Sequence, residues 1–416
     1  DLRTALHDHV QRMPVGFFTR TRTGALTNRM NNDVIGAQRA LTGTLGTPTL
    51  GWAAIVLSAP FLINAFTIYP EIPAALVVAL PVVLTLRTTP GVRPWHDLVI
   101  GLLAGTLPWL STKYAPMSAA IVAVAFARRA WPLHAGEPRW NVLAGVRIGL
   151  PYAVCLVGWF AFFYAYWGTP MPSAPYGPMT QTELGNTLFG VPGLLFDQEY
   201  GLLTYAPAYV LAGFGFWTML RRPGPLRRVG LELLVVFGAL IATVGAFRIW
   251  WGGSAAPGRP ITSGLLVLLL PMTVQLGTAA AGSARRAAQH LLIWTGACLA
   301  VVLLTAQDGF LVNNGRDGTS SLLEWLSPRW PLWRLAPTFV AHEAWRALLD
   351  TAVWLAVVGL GAWSLAREAH PAAPTTRQTS RGSRAARRRV TATILLRWPG
   401  PPAVAPVATD HRGRPG

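Results

Sequence analysis

The sequence predicts an all-α, polytopic integral membrane protein with about ten transmembrane helices and both termini in the cytoplasm. The 416-residue chain is 52% hydrophobic and only 12% charged, about half the charged fraction of a typical soluble domain. It therefore lacks the polar surface that the alternative, a large soluble helical core, would need. A spanning helix needs about 20 apolar residues, and apolar runs occur at 49–67, 72–86, 98–112, 116–131, 148–167, 202–220, 229–249, 261–279, 288–306 and 347–366.

The distribution of basic residues predicts the orientation. With the N-terminus in the cytoplasm, alternate connections place 28 of the 35 basic residues inside and seven outside, as the positive-inside rule requires. The net charge of +18 therefore fits membrane topology better than nucleic-acid binding. We expect a multi-pass protein of the cell inner (plasma) membrane, with the lipid bilayer and no nucleic acid as a partner.

Composition divides the chain into three predicted parts. Residues 1–47 form a polar, cytoplasmic helical segment, 48–366 a multi-span membrane domain, and 367–416 a basic cytoplasmic tail whose composition predicts disorder. The chain begins at Asp1 and shows no signal peptide, which suggests a fragment. Cys155 and Cys298 lie inside apolar runs, so we interpret them as packing residues.

Two outer segments carry acids beside apolar runs. Asp197 and Glu199 occur in "LFDQEYGLLTYAP", and Glu71 occurs in "IYPEIPAAL". A carboxylate at a membrane boundary can act as a general base, bind a metal or hold a cation. The alternative is a helix N-terminus, where an acid interacts favourably with the helix dipole.

Two further outer segments carry cations beside aromatic residues. Lys113, the single lysine of the chain, occurs in "LPWLSTKYAPMSA"; it can hold a phosphate or carboxylate, or extend towards the interface within an aromatic belt. In "WWGGSAAPGRP", Trp250 and Trp251 can stack on a sugar or anchor the interface, and the guanidinium of Arg259 suits phosphate oxygens. There is no Gly-x-x-x-x-Gly-Lys loop, which excludes ATP hydrolysis by that route.

These four segments, in this order, resemble the recurrent segments of bacterial polytopic glycosyltransferases of the GT-C class, related to protein mannosyltransferases, over about 50–366. The resemblance implies transfer of a sugar from a polyprenyl-phosphate donor to an acceptor on the extracytoplasmic face. It implies no certain cofactor, leaves a divalent metal ion open and assigns no metal ligand. The class carries its best-known catalytic acid in the first outer loop, which is not visible here, so the enzyme is expected to be truncated and its activity is uncertain. The implied residues are catalytic Asp197, Glu199 and Glu71, and substrate-binding Lys113, Tyr114, Tyr200, Trp250, Trp251 and Arg259.

Residues 1–47 resemble a different family. The stretch "LHDHVQRMPVGFFTRTRTGALTNRMNNDV" is similar to the cytoplasmic loop of ABC exporter transmembrane domains, with its P-x-x-F-F and G-x-L-x-x-R-x-x-x-D patterns. This resemblance implies a fusion whose join lies near Gly46–Leu50. It also implies an alternative function for the chain, as a transmembrane subunit or fragment of an ABC-type exporter that lacks its ATPase domain and needs an ATPase partner. An amphipathic interfacial arm is the other interpretation of these residues.

Overall fold

The computed structural model describes residues 46–87, 93–130, 141–177, 181–253, 255–280, 282–340 and 344–368. These ranges contain α-helices and short 3₁₀ segments and no β-strand, so the all-α prediction is confirmed. The predicted cytoplasmic segment up to residue 45 and the predicted tail from residue 369 lie outside the described residues.

The α-helices of the described ranges fall into two groups along the chain. The first group is α1 (46–56), α2 (Ala59–Asn64), α3 (Glu71–Leu86), α4 (Pro94–Leu110), α5 (Ala115–Arg129), α6 (Val142–Trp167) and α7 (Thr187–Phe196). The second group is α8 (Leu202–Tyr205), α9 (Val210–Arg221), α10 (Pro225–Gly245), α11 (Leu269–Leu276), α12 (Ala284–Thr305), α13 (Ser321–Leu326) and α14 (Ala344–Glu368). A 3₁₀ segment, Arg259–Leu268, runs directly into α11.

Five helical stretches of the described ranges are long and apolar enough to cross a membrane, which confirms a membrane protein. They are Val142–Trp167, Pro225–Gly245, Arg259–Leu276, Ala284–Val312 and Trp345–Leu365. The other predicted spans are shorter or broken. Helices α3, α4 and α5 have 16, 17 and 15 residues, and at about 1.5 Å per residue they fall short of a hydrocarbon layer of about 30 Å. The predicted total of ten spans therefore stays a prediction.

Proline residues break two of the predicted spans. The run 49–67 divides into α1 and α2, with Pro60 in the first turn of α2, because proline has no N–H to continue a preceding helix. The run 202–220 divides at Pro207, which begins a 3₁₀ turn between α8 and α9. Both breaks lie inside apolar sequence, where hydropathy alone gives a single continuous run.

Close contacts between glycines and a neighbouring backbone hold the helices together. A Cβ on Gly101 of α4 would lie 2.1 Å from the carbonyl oxygen of Ile148 in α6, and one on Gly105 would lie 2.6 Å from the Cβ of Cys155. Small residues four apart allow two helix backbones to approach in a membrane, where there is little hydrophobic drive for association. Helices α4 and α6 therefore pack backbone to backbone.

Helix α7 is an element that the sequence analysis missed, because it lies inside the outer connection 168–201. A Cβ on Gly190 of α7 would lie 2.1 Å from the carbonyl oxygen of Gly245 in α10. This contact fixes α7 against the end of α10. It thereby positions Asp197, the residue that directly follows α7.

The fold gathers charged residues at two opposite ends of the short helices α3 and α5. Glu71 begins α3, and Lys113 lies in the turn directly before α5. Arg128 and Arg129 end α5, on the side where α3 also ends. We call the first the Glu71 end and the second the Arg128 end; the positive-inside rule predicts that the Arg128 end faces the cytoplasm.

Substitution by alanine should distinguish a glycine that contacts a neighbouring backbone from one that has open space around it. We expect Gly101→Ala to lower the free energy of unfolding by about 3 kcal/mol, because the new Cβ meets backbone that cannot move aside. Gly238→Ala in α10 is the matched control, since nothing lies within 4 Å of its Cβ position. The control should be neutral or stabilising by up to about 1 kcal/mol. Thermal unfolding of the purified proteins in detergent measures both, and equal effects would contradict the packing of α4 on α6.

Candidate functional site

Three charged side chains from distant parts of the chain meet at the Glu71 end. The Nζ of Lys113 lies 3.0 Å from Glu71 Oε1, and the Nε of Arg259 lies 3.8 Å from the same oxygen. The side chain of Glu71 is 3% exposed, and those of Lys113 and Arg259 are each 14% exposed. We call these three residues the outer charge cluster. The sequence analysis chose all three, and the structure brings them together.

The outer charge cluster carries one more positive charge than negative charge, since two cations face a single carboxylate. Arg259 is held by further contacts: its guanidinium lies 4.0 Å above the ring of Tyr69, and its Nη2 donates to the carbonyl oxygen of Gly252 at 2.9 Å. Burial lowers the pKa of Lys113, and the charge of Glu71 raises it. A buried excess of positive charge is costly unless an anion compensates it. The cluster is therefore suited to contact an anionic group through its partly exposed cations.

Three buried oxygen atoms lie beside this cluster. Oε2 of Glu71 has no hydrogen-bond partner among the described residues, whereas the hydroxyls of Tyr114 and Ser263 interact with each other. Burial, and then the charge of Glu71, raises the pKa of Tyr114. Tyr114 and Ser263 have no exposed surface, so Tyr114 lies beneath the cluster and a ligand would reach Lys113 and Arg259 first. Ser263 was missed in the sequence, because no motif distinguishes it from a serine in a helix.

The two tryptophans have different environments. Trp250 is buried, and its ring lies against Gly193 of α7 and edge-on to Trp251, with ring centroids 5.5 Å apart. Trp251 is only half-buried, and its ring centroid lies 6.5 Å from that of Tyr200. Trp250 is therefore placed as a packing residue. Of the two, Trp251 keeps the accessible surface that stacking on a sugar would need.

Asp197 lies in a turn where its carboxylate accepts backbone N–H groups. Its Oδ1 accepts from Glu199 at 2.8 Å and from Tyr200 at 2.9 Å, and its Oδ2 accepts from Phe339 at 2.6 Å. Burial raises the pKa of Asp197 to about 6, and the N–H groups of Phe339, Tyr200 and Glu199 oppose that rise. The side chain thus joins the end of α7 to the distant segment around residue 339.

Glu199 makes the same kind of connection to another distant segment. Its Oε1 accepts from the backbone N–H of Arg316 at 2.8 Å, and its Oε2 accepts from that of Gly318 at 3.1 Å. Burial first, and the charge of Asp197 second, raises the pKa of Glu199 to about 7. We call residues 197–201 the acid clasp, because their side chains and backbone join the segments 313–320 and 336–340.

The acid clasp is connected to the outer charge cluster through one backbone hydrogen bond. The N–H of Gly258 donates to the carbonyl oxygen of Tyr200 at 2.9 Å, and Gly258 directly precedes Arg259. Tyr200 itself is buried, and its hydroxyl donates to the carbonyl oxygen of Asn314 at 3.3 Å. The oxygens of Asp197 and Glu199 are occupied by N–H donors, so their assignment as catalytic residues stays a prediction. The sequence does not predict that the two carboxylates accept backbone N–H groups.

The opposite, Arg128 end holds two ion-paired groups that the sequence analysis used only for topology. The Nε of Arg128 donates to both carboxylate oxygens of Glu232 at 2.8 Å, and the Nε of Arg228 donates to Oε1 at 2.9 Å. Nearby, the Nη1 of Arg129 lies 3.0 Å from Oδ1 of Asp97. An ionisable residue within an apolar helix is the sequence signal that could have identified Asp97 and Glu232.

The sequence analysis left a divalent metal ion open, and the described ranges offer no site for one. Those ranges contain no group of three or more His, Cys, Asp or Glu side chains placed to hold a metal ion. The two cysteines are free thiols. Cys155 packs against Gly105, which agrees with a packing role, whereas Cys298 is exposed, so the packing interpretation is wrong for Cys298.

The helices and the buried charges thus define an α-helical membrane protein with a charged site at each end of its short helices. Comparison with protein-family models matches residues 1–87 to the ABC transporter transmembrane region. No curated protein and no solved structure matches the chain. The match agrees with the exporter resemblance of residues 1–47 and continues through α1, α2 and α3.

The raised pKa of Glu199 predicts a pH dependence of stability. The folded chain holds this proton more tightly than the unfolded chain, so the stability that depends on it is complete at acidic pH and is lost as the pH rises through about 7. We therefore expect wild type to lose thermal stability relative to Glu199→Gln between about pH 5 and about pH 8. Glu324→Gln, at an exposed acid of α13, should show no such change. A constant difference between wild type and Glu199→Gln would refute the shift.

Proposed function

We propose that the chain works as a transmembrane component of an ABC-type exporter, together with an ATPase. The observation that carries this proposal is the family match over residues 1–87. The described part of that match supports it, because Ile55, Ala74 and Val78 are fully buried in the core shared with the rest of the membrane domain. A segment packed in this way acts as part of the same membrane unit.

The sequence of residues 1–45 supports this proposal. The pattern Gly24, Leu26, Arg29 and Asp33 resembles the cytoplasmic loop of exporters, and that loop is where an ATPase would be engaged. The chain shows no phosphate-cradling loop of its own, so nucleotide hydrolysis would come from the partner.

An exporter component should co-purify with an ATPase. We expect affinity-purified full-length chain to retain an ATP-hydrolysing partner, and Arg29→Ala/Asp33→Ala to lose it while membrane expression stays unchanged. Arg221→Ala/Arg222→Ala, on the predicted cytoplasmic side, is the matched control and should retain the partner. Absence of any ATPase from the wild-type preparation would count against the exporter function.

A second candidate is transfer of a sugar from a polyprenyl-phosphate donor, and its support is geometric. In such a transfer the acceptor hydroxyl attacks the anomeric carbon, the bond from that carbon to the phosphate oxygen breaks, and the phosphate leaves with one additional negative charge. Lys113 and Arg259 are placed to offset that charge. The proton of the acceptor would pass to a carboxylate, and Oε2 of Glu71 has no partner among the described residues.

Trp251 completes the geometric case for this second candidate. It is half-buried and follows Trp250 in the segment that leads to Arg259, so a sugar stacked on its ring would lie near the cations. The family match gives no support to this candidate, so an experiment has to distinguish the two functions.

Transfer should depend on the two cations of the outer charge cluster. With radiolabelled polyprenyl-phosphate sugar in proteoliposomes, we expect Lys113→Met and Arg259→Gln each to reduce transfer by about 100-fold or more, because one preorganised contact to the developing charge is lost. Arg346→Gln, at an arginine whose side chain is 66% exposed, is the control and should transfer at the wild-type rate. Equal background transfer in all proteins, including Asp197→Asn/Glu199→Gln, would eliminate the enzyme.

A further inference from the structure

One side chain of the acid clasp holds two distant points of the connection between α12 and α14. The Oε1 of Gln198 accepts from the backbone N–H of Ser320 at 3.4 Å, and its Nε2 donates to the carbonyl oxygen of Ala336 at 3.3 Å. The backbone N–H of Gln198 donates to the carbonyl oxygen of Pro337 at 2.9 Å. The two ends of the stretch 321–335 are therefore held together just beyond α7.

Within this stretch, residues 325–335 expose several large apolar side chains, and we call these residues the tryptophan segment. The exposed side chains are Trp325, Leu326, Trp330, Leu332 and Leu335. Trp330 is 76% exposed and Leu335 is 63% exposed, so the described part of the chain leaves them largely uncovered. A cluster of exposed apolar side chains marks a surface that contacts another protein or a membrane.

The rest of the tryptophan segment has the composition of a membrane interface. It contains Arg329 and Arg334 and no acid, and the guanidinium of Arg334 lies 5.1 Å from the ring centroid of Trp333. Tryptophan and arginine are typical of segments that contact hydrocarbon on one side and head groups on the other. Pro328 and Pro331 carry no N–H, which lowers the number of backbone donors that need a partner in apolar surroundings.

Helix α14 shows which surface the tryptophan segment adjoins. The carbonyl oxygen of Leu335 accepts from the Nε1 of Trp354 at 2.8 Å. Trp354 lies nine residues after the start of the membrane-spanning stretch Trp345–Leu365, which corresponds to about 13 Å along a helix. Only 6% of this stretch is buried by the rest of the described chain. The tryptophan segment therefore meets α14 where the helix surface is open to lipid.

We propose that the tryptophan segment is an interfacial anchor that lies in the lipid leaflet at the Glu71 end. Its exposed apolar side chains continue the lipid-facing surface of α14, while Arg329 and Arg334 extend to the head groups of that leaflet. Because the acid clasp holds both ends of the stretch 321–335, the anchor fixes the clasp relative to the membrane surface. This inference does not depend on which of the two proposed functions is correct.

A second copy of the chain and water are the competing surroundings of the tryptophan segment. Molecular oxygen dissolves preferentially in hydrocarbon, whereas a polar nickel chelate stays in water. A nitroxide label in lipid therefore collides mainly with oxygen, a label in water mainly with the chelate, and a label inside a protein contact with neither. Collision rates measured by electron paramagnetic resonance distinguish the three cases.

The first test places a nitroxide at Leu332→Cys in the full-length chain in phospholipid liposomes, in a Cys155→Ala/Cys298→Ala background. We expect this label to collide more often with oxygen than with the nickel chelate. Asp317→Cys, at an exposed residue of the polar stretch before the tryptophan segment, is the matched control and should show the reverse. Leu326→Cys gives the same comparison if labelled Leu332→Cys does not fold. More frequent chelate collisions at position 332, or rare collisions with both, would overturn the proposal.

The second test asks whether Trp330 holds the segment in the leaflet. Adding Trp330→Asp to the labelled Leu332→Cys protein should shift collisions from oxygen towards the nickel chelate, because a carboxylate in lipid is costly. Asn313→Asp adds the same charge at another exposed residue and should leave the label in lipid. The proteins are compared at matched melting temperatures, so that a shift reports detachment rather than unfolding. Unchanged oxygen collisions with Trp330→Asp would contradict the anchor.

Discussion

Every buried charge in an apolar medium needs a compensating partner, and this constraint organises the described structure. Moving an ion out of water costs several kcal/mol even after the protein relaxes. Glu71, Asp97 and Glu232 meet this cost with cations from other helices or turns. Asp197 and Glu199 meet it with backbone N–H groups from distant segments. Each buried acid thereby joins parts of the chain that are far apart in sequence.

The same contacts make the two ends of the short helices different in chemistry. At the Glu71 end the carboxylate lies between Lys113 and Arg259, beside aromatic rings and hydroxyls. At the Arg128 end the carboxylate of Glu232 lies between two arginines, beside apolar side chains of α3, α5 and α10. Both groups have one excess positive charge, but the first adjoins polar side chains and the second adjoins apolar ones. The two ends therefore differ in the residues that surround a shared carboxylate.

The family match and the helix packing do not agree on where the exporter-like N-terminal part of the chain ends. The match ends at residue 87, and the sequence predicts a join near Gly46–Leu50. Glu71 lies inside the match, whereas Lys113 and Arg259, its partners, lie beyond it. The ion pairs thus cross the end of the matched segment. From residue 46 onward, α1, α2 and α3 belong to the same packed helices as the rest of the membrane domain.

Composition and hydropathy determined the class of protein. Whether a segment can span a membrane depends on the summed hydropathy of consecutive residues and on the charges beside them, and both can be read from the sequence. Alternating connections also placed Glu71, Lys113 and Arg259 on one side, which the contacts support. Only the tertiary structure revealed how α7 packs on α10, the burial of Trp250, and the pairing of Glu232 with Arg128. It likewise decided that the acid clasp binds backbone N–H groups around residues 316 and 339. These features depend on which helix ends and turns approach one another, and residues more than 100 positions apart leave no joint pattern in a single sequence.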